Sequence, residues 1–412
     1  MVNAKAQLSI LVFSAALAAG AATSISNVVV NQRWPWSEKV DVDFILSGDA
    51  SDVEVSATWD GHDEPFLLGA LSDCAPGQHR VTWDPAQSAY AGKTLTGFAV
   101  SVTNAVIVKT YAVIDLINGG CIYRSAPPEG GWTDEYKSTK MVFRRIPAGT
   151  YTLGEPRETF AYLNHWGVDE AATTMNRRTV VFTNDFYVGI FKYTEAQHVC
   201  LMGASGAGSF EPVHVSYNDL RGAQTGVDWP TTGYKVAQGS IVAKLRAKAG
   251  DGIVVDLCEE EQWEAAARAG KATFWPNGGT VDESMEVLDG YLNEIAVWNR
   301  DSVVKKQSPV GLKNDNGWGL YDIVGLDGEW VLDKTVNYTS LTYGLPEFSV
   351  NPTGISDGSN RILKSANGNG RNTAIYDLMP CRRQMAEPDK ADYSTRFCIH
   401  LSPLGSLTFE DL

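Results

Sequence analysis

The chain has 412 residues, of which 44% are hydrophobic and 20% charged. That balance excludes a disordered or fibrous protein, and the length is enough for two cores of roughly 100 to 250 residues each. With 34 basic and 49 acidic side chains the net charge is -15, a field that repels phosphate backbones and anionic lipid and argues against nucleic acid as a partner.

At the N-terminus Lys5 precedes an apolar run from Leu8 to Ala19, followed by the small residues Gly20 and Ala21. This pattern predicts a signal peptide over residues 1–22 and a protein that is secreted or periplasmic. No later stretch reaches 18 consecutive apolar residues, so no membrane span is expected.

Residues 23–116 read as short runs (VDVDFIL, VEVSATW, HRVTW, FAVSV, TYAVI) separated by turn clusters such as SGDASD and WDGHDEP. Alternation with a period of two and turns every 8 to 12 residues or so predicts an antiparallel, immunoglobulin-like β-sandwich. Within it, Trp34 and Trp36 flank Pro35. They fit either a sugar-stacking platform or, the reading preferred here, packing against an edge of the sandwich. The Gly- and Pro-rich stretch 117–133 is expected to be a linker.

Beyond it, residues 134–404 mix strand-like segments (MVFRRIPAGTYTLG, RRTVVFTNDFYVGIFKYT) with helical ones (SIVAKLRAKAG, EEEQWEAAARAG). In the second helix Trp263, Ala266 and Ala267 share a face and Gly270 marks the stop. Without regular βαβ alternation this predicts an α+β domain, with residues 405–412 as a tail. The acidic run Glu259 to Glu261 is read as a solvated helix start favoured by the dipole. The six histidines (62, 79, 165, 198, 214 and 400) are scattered singly, and GASGAGS at 203–209 lacks the Lys-Ser/Thr of a phosphate loop. None of the six cysteines forms a C-x-x-C pair, which argues against structural zinc. Cys381 and Cys398 are the best candidates for a disulfide, with separate buried thiols as the alternative.

Five blocks in one order carry a resemblance: MVFRRIPAGTYTLG, FTNDFYVGIFKYTEAQ, EPVHVSYNDLRG, KLRAKAGDGIVVDLCEEEQWEAAARAG and SPVGLKNDNGWGLYDIVGLDGEW. Residues 140 to about 402 resemble the formylglycine-generating enzyme, or sulfatase-modifying factor, family. The resemblance implies an irregular C-type-lectin-like fold. In the family's oxidases it also implies conversion of a sulfatase cysteine to formylglycine by O2, with a copper ion held by two cysteines.

The departures fall where that chemistry would sit. Against the family pattern the two copper-binding positions correspond to about Arg371 and Tyr376, and no cysteine occurs between Cys258 and Cys381. Copper(I) requires soft thiolates, so copper is not expected and the oxidase reaction reads as lost. In the loop GLYDIVGLDGEW, residues 319–330, the family's calcium-binding asparagine is replaced by Leu326, whereas Glu329 and Trp330 remain. Calcium held by Asp327 and Glu329 and a metal-free turn anchoring Tyr321 and Trp330 stand as alternatives. The Asp-x-Asp-x-Asp-Gly spacing of an EF-hand is absent.

The polar segment SANGNGRNTA lies where the family forms its substrate face. The expected binding residues are Asn367, Asn369, Arg371, Asn372 and Tyr376, with Arg382 and Arg383 nearby, and the expected ligand is a peptide or a glycan. The resulting expectation is a secreted, non-catalytic family member. The alternatives are an oxidase or another enzyme acting on sulfatase-type substrates, and a structural component of a secreted surface assembly.

Overall fold

The computed structural model describes residues 23–48, 51–105, 110–128, 130–156, 176–223, 226–250, 252–279, 285–298, 308–335, 346–354, 358–365 and 377–400. They divide into two units, 1–108 and 109–412.

The first unit holds strands β1 (Ser24–Gln32), β2 (Val40–Ser47), β3 (Ser51–Trp59), β4 (His62–Cys74), β5 (Gly77–Trp83) and β6 (Ala99–Ala105). They form two antiparallel three-stranded sheets, in the orders β1-β2-β5 and β4-β3-β6. Alternation decides the inner face: Val42, Phe44 and Leu46 from β2 meet Val53, Val55 and Ala57 from β3, with Val81, Trp83, Val100 and Val102 completing the core. Trp34 and Trp36 depart from expectation. They are 64% and 90% exposed, because the turn in which the Arg33 carbonyl accepts from the Trp36 and Ser37 amides lifts them off the β1–β2 hairpin.

The stretch TYAVI does not belong to this unit. As β7 (Tyr111–Asp115) it pairs with β8 (Cys121–Arg124), inside the expected linker, and with β9 (Lys140–Ile146). Sandwich and linker therefore end earlier than the turn signals indicate. Alternation identifies a strand but not its partner, and Ala112, Val113 and Ile114 find a better-buried sheet downstream.

The remaining strands of the second unit are β10 (Gly149–Leu153), β11 (Arg178–Phe182), β12 (Phe186–Gly189), β13 (Val254–Leu257), β14 (Glu329–Thr335), β15 (Phe348–Val350), β16 (Asn360–Lys364), β17 (Gln384–Ala386), β18 (Ser394–Thr395) and β19 (Phe397–His400). Five helices accompany them among the described residues: α1 (Glu195–Met202), α2 (Tyr217–Arg221), α3 (Ile241–Ala249), α4 (Glu260–Arg268) and α5 (Met285–Ile295). A six-stranded sheet in the order β13-β19-β12-β9-β7-β8, a four-stranded sheet β17-β16-β14-β18 and a three-stranded sheet β10-β11-β15 give an α+β architecture. No helix among the described residues is long and apolar enough to cross a membrane.

The disulfide differs from the expected one. Cys398 on β19 bonds Cys258, with Cα atoms 5.0 Å apart. β13 runs antiparallel to β19 with Leu257 opposite Phe397, which delivers Cys258 to its partner. Cys381 precedes β17, in another sheet, and is a buried free thiol.

Beside this bond lies a buried polar chain. The Tyr234 hydroxyl is 2.6 Å from Glu259 Oε1 and 3.1 Å from His400 Nδ1, and His400 Nε2 donates to the Leu257 carbonyl at 2.9 Å. Burial, with Arg246 and Arg221 nearby, draws His400 down to about 4. Burial, with Glu261 and Asp256 adding to it, pushes Glu259 up to about 8.

The two groups act in opposite directions on stability. As pH falls from about 6.5 towards 4 the unfolded chain binds a proton that folded His400 refuses, so stability is lost. Folded Glu259 stays protonated up to about pH 8 whereas the unfolded carboxyl ionises near 4.5, so stability is lost as pH rises through that window. Between about 4.5 and 6.5 the two slopes offset each other. His400→Gln removes one slope only and should gain about 2 kcal/mol on the wild type between pH 6.5 and 5. Thermal melts of both proteins across that range would show the gain; parallel curves would refute the assignment.

Candidate functional site

Of the expected binding residues, Asn367, Asn369, Arg371, Asn372 and Tyr376 lie outside the described residues. The two stems of that segment are described, and one carboxylate joins them. Lys364, at the end of β16, donates to Glu260 Oε1 at 3.2 Å; from the other stem Arg383 donates through Nε to Oε1 at 2.7 Å and through Nη2 to Oε2 at 2.5 Å. Next to Lys364, the Ser365 hydroxyl accepts from the Gly325 amide at 2.7 Å. Arg382 pairs with Asp377 at 3.5 Å.

Arg383 is therefore buried and engaged with Glu260. Its guanidinium forms a two-pronged pair with Glu260, the geometry in which charge-assisted bonds are strongest. Burial opposes ionisation of Glu260, yet Arg383 and Lys364 outweigh it and hold the carboxyl below its usual range.

The acidic start of α4 is thus a buried platform, not a solvated helix end. Glu260 and Glu261 are fully buried, and Glu261 accepts from Arg178 at 2.6 Å. Glu264 accepts from the Gly154 amide at 2.8 Å and from Arg268, which also reaches Glu155. The α4 N-terminus is capped from outside the helix, by Asp333 of β14 accepting from the Glu260 amide at 2.7 Å. Sequence reasoning missed the roles of Glu260 and Glu261 because their cations come from 83 to 123 residues away.

The loop 319–328 makes a second buried constellation. Gly325 adopts φ 79°, and a Cβ there would fall 2.6 Å from the Val297 carbonyl, so only glycine fits. The loop ends on Glu329, whose two oxygens are both taken. Lys192 donates to Oε1 at 2.5 Å, Arg396 donates to both, and the Trp263 indole donates to Oε2 at 2.9 Å. Burial raises Glu329, but Arg396 and Lys192 prevail and it lies below its usual range. Asp327 faces elsewhere: Oδ1 accepts from the Gly328 amide at 2.8 Å and Oδ2 pairs with His214. Trp330 packs in the core, and Tyr321, half-buried, stacks on Phe191.

Neither metal centre of the resemblance fits these donors. Calcium needs six to eight oxygens, whereas Glu329 is saturated by two cations and an indole, and Asp327 points to His214. Copper needs paired thiolates. In the second unit Cys258 and Cys398 are bonded to each other, and Cys381 is fully buried, its thiol pushed well up by burial and by Glu155 and Glu264. Among the described residues no group of three or more His, Cys, Asp or Glu side chains is arranged to hold a metal ion.

A family model described as a sulfatase-modifying factor enzyme 1-like domain matches residues 133–394. Among solved structures, one titled "Structure of PvdO from Pseudomonas aeruginosa" is similar at 20% identity and a TM-score of 0.47, over 63% of this chain and 94% of that one. No curated protein matches. The family model spans more than half of the chain and includes both buried constellations except Arg396, so the protein belongs to the sulfatase-modifying factor enzyme 1-like family.

Proposed function

We propose that this protein is an exported, non-catalytic member of its family, which binds a peptide or glycan through the face built on residues 366–376. One observation carries the reading: the second unit has no pair of thiolates to grip a redox metal. Of its five cysteines, Cys258 and Cys398 are consumed by a disulfide, Cys381 is a buried protonated thiol, and Cys121 and Cys200 are free thiols, also raised by burial. No cysteine stands near Arg371 or Tyr376 in sequence, the nearest being Cys381.

The Glu260 clamp supports a binding role on a different ground. It fixes both stems of a polar, asparagine-rich segment to a buried platform, and polar loops held on a rigid scaffold commonly carry recognition. The signal sequence predicted over residues 1–22, the disulfide and the net charge of -15 agree with a role outside the cytoplasm.

Glycan and peptide arrays test the proposal. The wild type should retain a ligand whose binding falls at least tenfold when Arg371 and Tyr376 are changed to alanine. The enzyme reading is tested on the same sample: incubation with copper, O2 and a cysteine-containing sulfatase peptide should leave the peptide mass unchanged. Formation of formylglycine, or arrays on which the double variant binds like the wild type, would defeat the reading.

A further inference from the structure

In the loop 319–328 the backbone carries two positive φ angles outside glycine, 51° at Asp322 and 62° at Leu326. It also buries three acidic side chains, Asp322, Asp327 and Glu329. Such a turn requires positive charge nearby, since buried carboxylates are tolerated only when paired. The charge comes from Lys192, a fully buried residue within the apolar run FYVGIFKY. Its ammonium donates to the Asp327 carbonyl at 3.0 Å as well as to Glu329.

Arg396 closes the other side, donating through Nη1 to the Gly189 carbonyl at 2.7 Å and through Nη2 to the Tyr321 carbonyl at 2.9 Å. Burial holds the carboxyl of Asp322 above its usual range, against the opposing pull of the Gly311 amide, Lys192 and Arg396. Asp322 Oδ2 accepts from the Gly311 amide at 2.6 Å, while its buried Oδ1 has no hydrogen-bond partner.

We infer that Lys192 is a tethered internal cation: its ammonium holds the carbonyl and carboxylate oxygens that would otherwise recruit a divalent ion, so the loop keeps its shape without metal. Lys192 and Arg396 together bring two positive charges, equal to those of one calcium ion. A calcium ion entering beside them would meet both at short range in a low-dielectric interior. Removing the ammonium takes the Lys192 donor from the Asp327 carbonyl and from Glu329 Oε1, hard oxygens of the kind calcium accepts, while Arg396 and Trp263 still donate to Glu329. The inference is independent of whether residues 366–376 bind a ligand.

Trp263 makes the test direct, because its indole touches Glu329 and would sensitise a terbium ion bound there. Wild-type protein should melt at the same temperature in EDTA and in millimolar calcium and should show no tryptophan-sensitised terbium emission. Lys192→Ala should be less stable in EDTA, regain roughly 5 °C or more in millimolar calcium, and light up with terbium. Lys192→Met, which refills the volume without charge, should respond to neither ion. A wild-type protein that responds to calcium or terbium would overturn the inference, as would a folded Lys192→Ala variant that ignores both. If Lys192→Ala folds under neither condition, the wild-type measurement decides.

Discussion

Glu260→Ala should destabilise the 109–412 unit by about 3 to 5 kcal/mol, the cost of removing one member of a buried ion-pair network and leaving an excess of buried positive charge. Arg383 and Lys364, each in a fully or nearly fully buried position, would both lose the Glu260 carboxylate. For a unit of this size the melting temperature should fall by roughly 10 °C. A second variant separates charge imbalance from lost packing. Glu260→Ala combined with Arg383→Met removes one of the two excess cations, and should recover a substantial part of the loss. Calorimetry of the two proteins reads the difference. A single variant that melts within 2 °C or so of the wild type would mean that the clamp carries little energy.

The clamp also has a functional signature. On the proposed function, a Glu260 variant that stays folded should also bind its ligand more weakly, because Lys364 and Arg383 on either side of the proposed face lose their common anchor.

Opening the Cys258–Cys398 bond should cost at least as much. The bond spans 140 residues, and closing a loop of that length removes about 5 kcal/mol of unfolded-chain entropy. Cys258→Ser, Cys398→Ser and reduction of the wild type should each lower the denaturation midpoint by a similar amount. Combining a substitution with reductant should add nothing further. Cys381→Ser lies outside the bond and should leave the response to reductant intact. Peptide mapping under non-reducing conditions should recover the 258–398 crosslink and show Cys381 alkylated only after unfolding. A midpoint indifferent to reductant would remove this stabilisation from the account, and with it one support for an oxidising compartment.

Much of the fold was legible in the sequence, for definable reasons. The alternating runs from Val40 to Val102 lie on two sheets with the expected inward face, because a period of two maps directly onto a half-buried strand. Helices α3 and α4 begin within one residue of their expected starts. Ser240 caps α3 by accepting from the Ala243 amide at 3.2 Å, and a short polar residue before an apolar run is a local signal. The left-handed residue that ends α4 is Ala269, one place before the expected Gly270.

The errors share one cause, which is that the deciding partner is remote. TYAVI was assigned to the sandwich since nothing local distinguishes an edge strand there from a strand beside β9. Cys398 was matched to the wrong sulfur because spacing along the chain does not reveal that β13 lies next to β19. Lys192 did leave a signal: an ammonium within FYVGIFKY must be either exposed or paired. The signal gives a need without naming Glu329, 137 residues away.

The sequence by itself determined the family, through five collinear blocks, and the absence of any cysteine between 258 and 381. Both are matters of composition and order, which no folding can alter. Only the tertiary structure decided that Glu260 is a clamp instead of a solvated cap, and that a lysine and an arginine pair with Glu329 where the 319–328 loop ends. A buried charge is defined by what surrounds it, and these surroundings are assembled from strands and helices 67 to 137 residues apart in the chain.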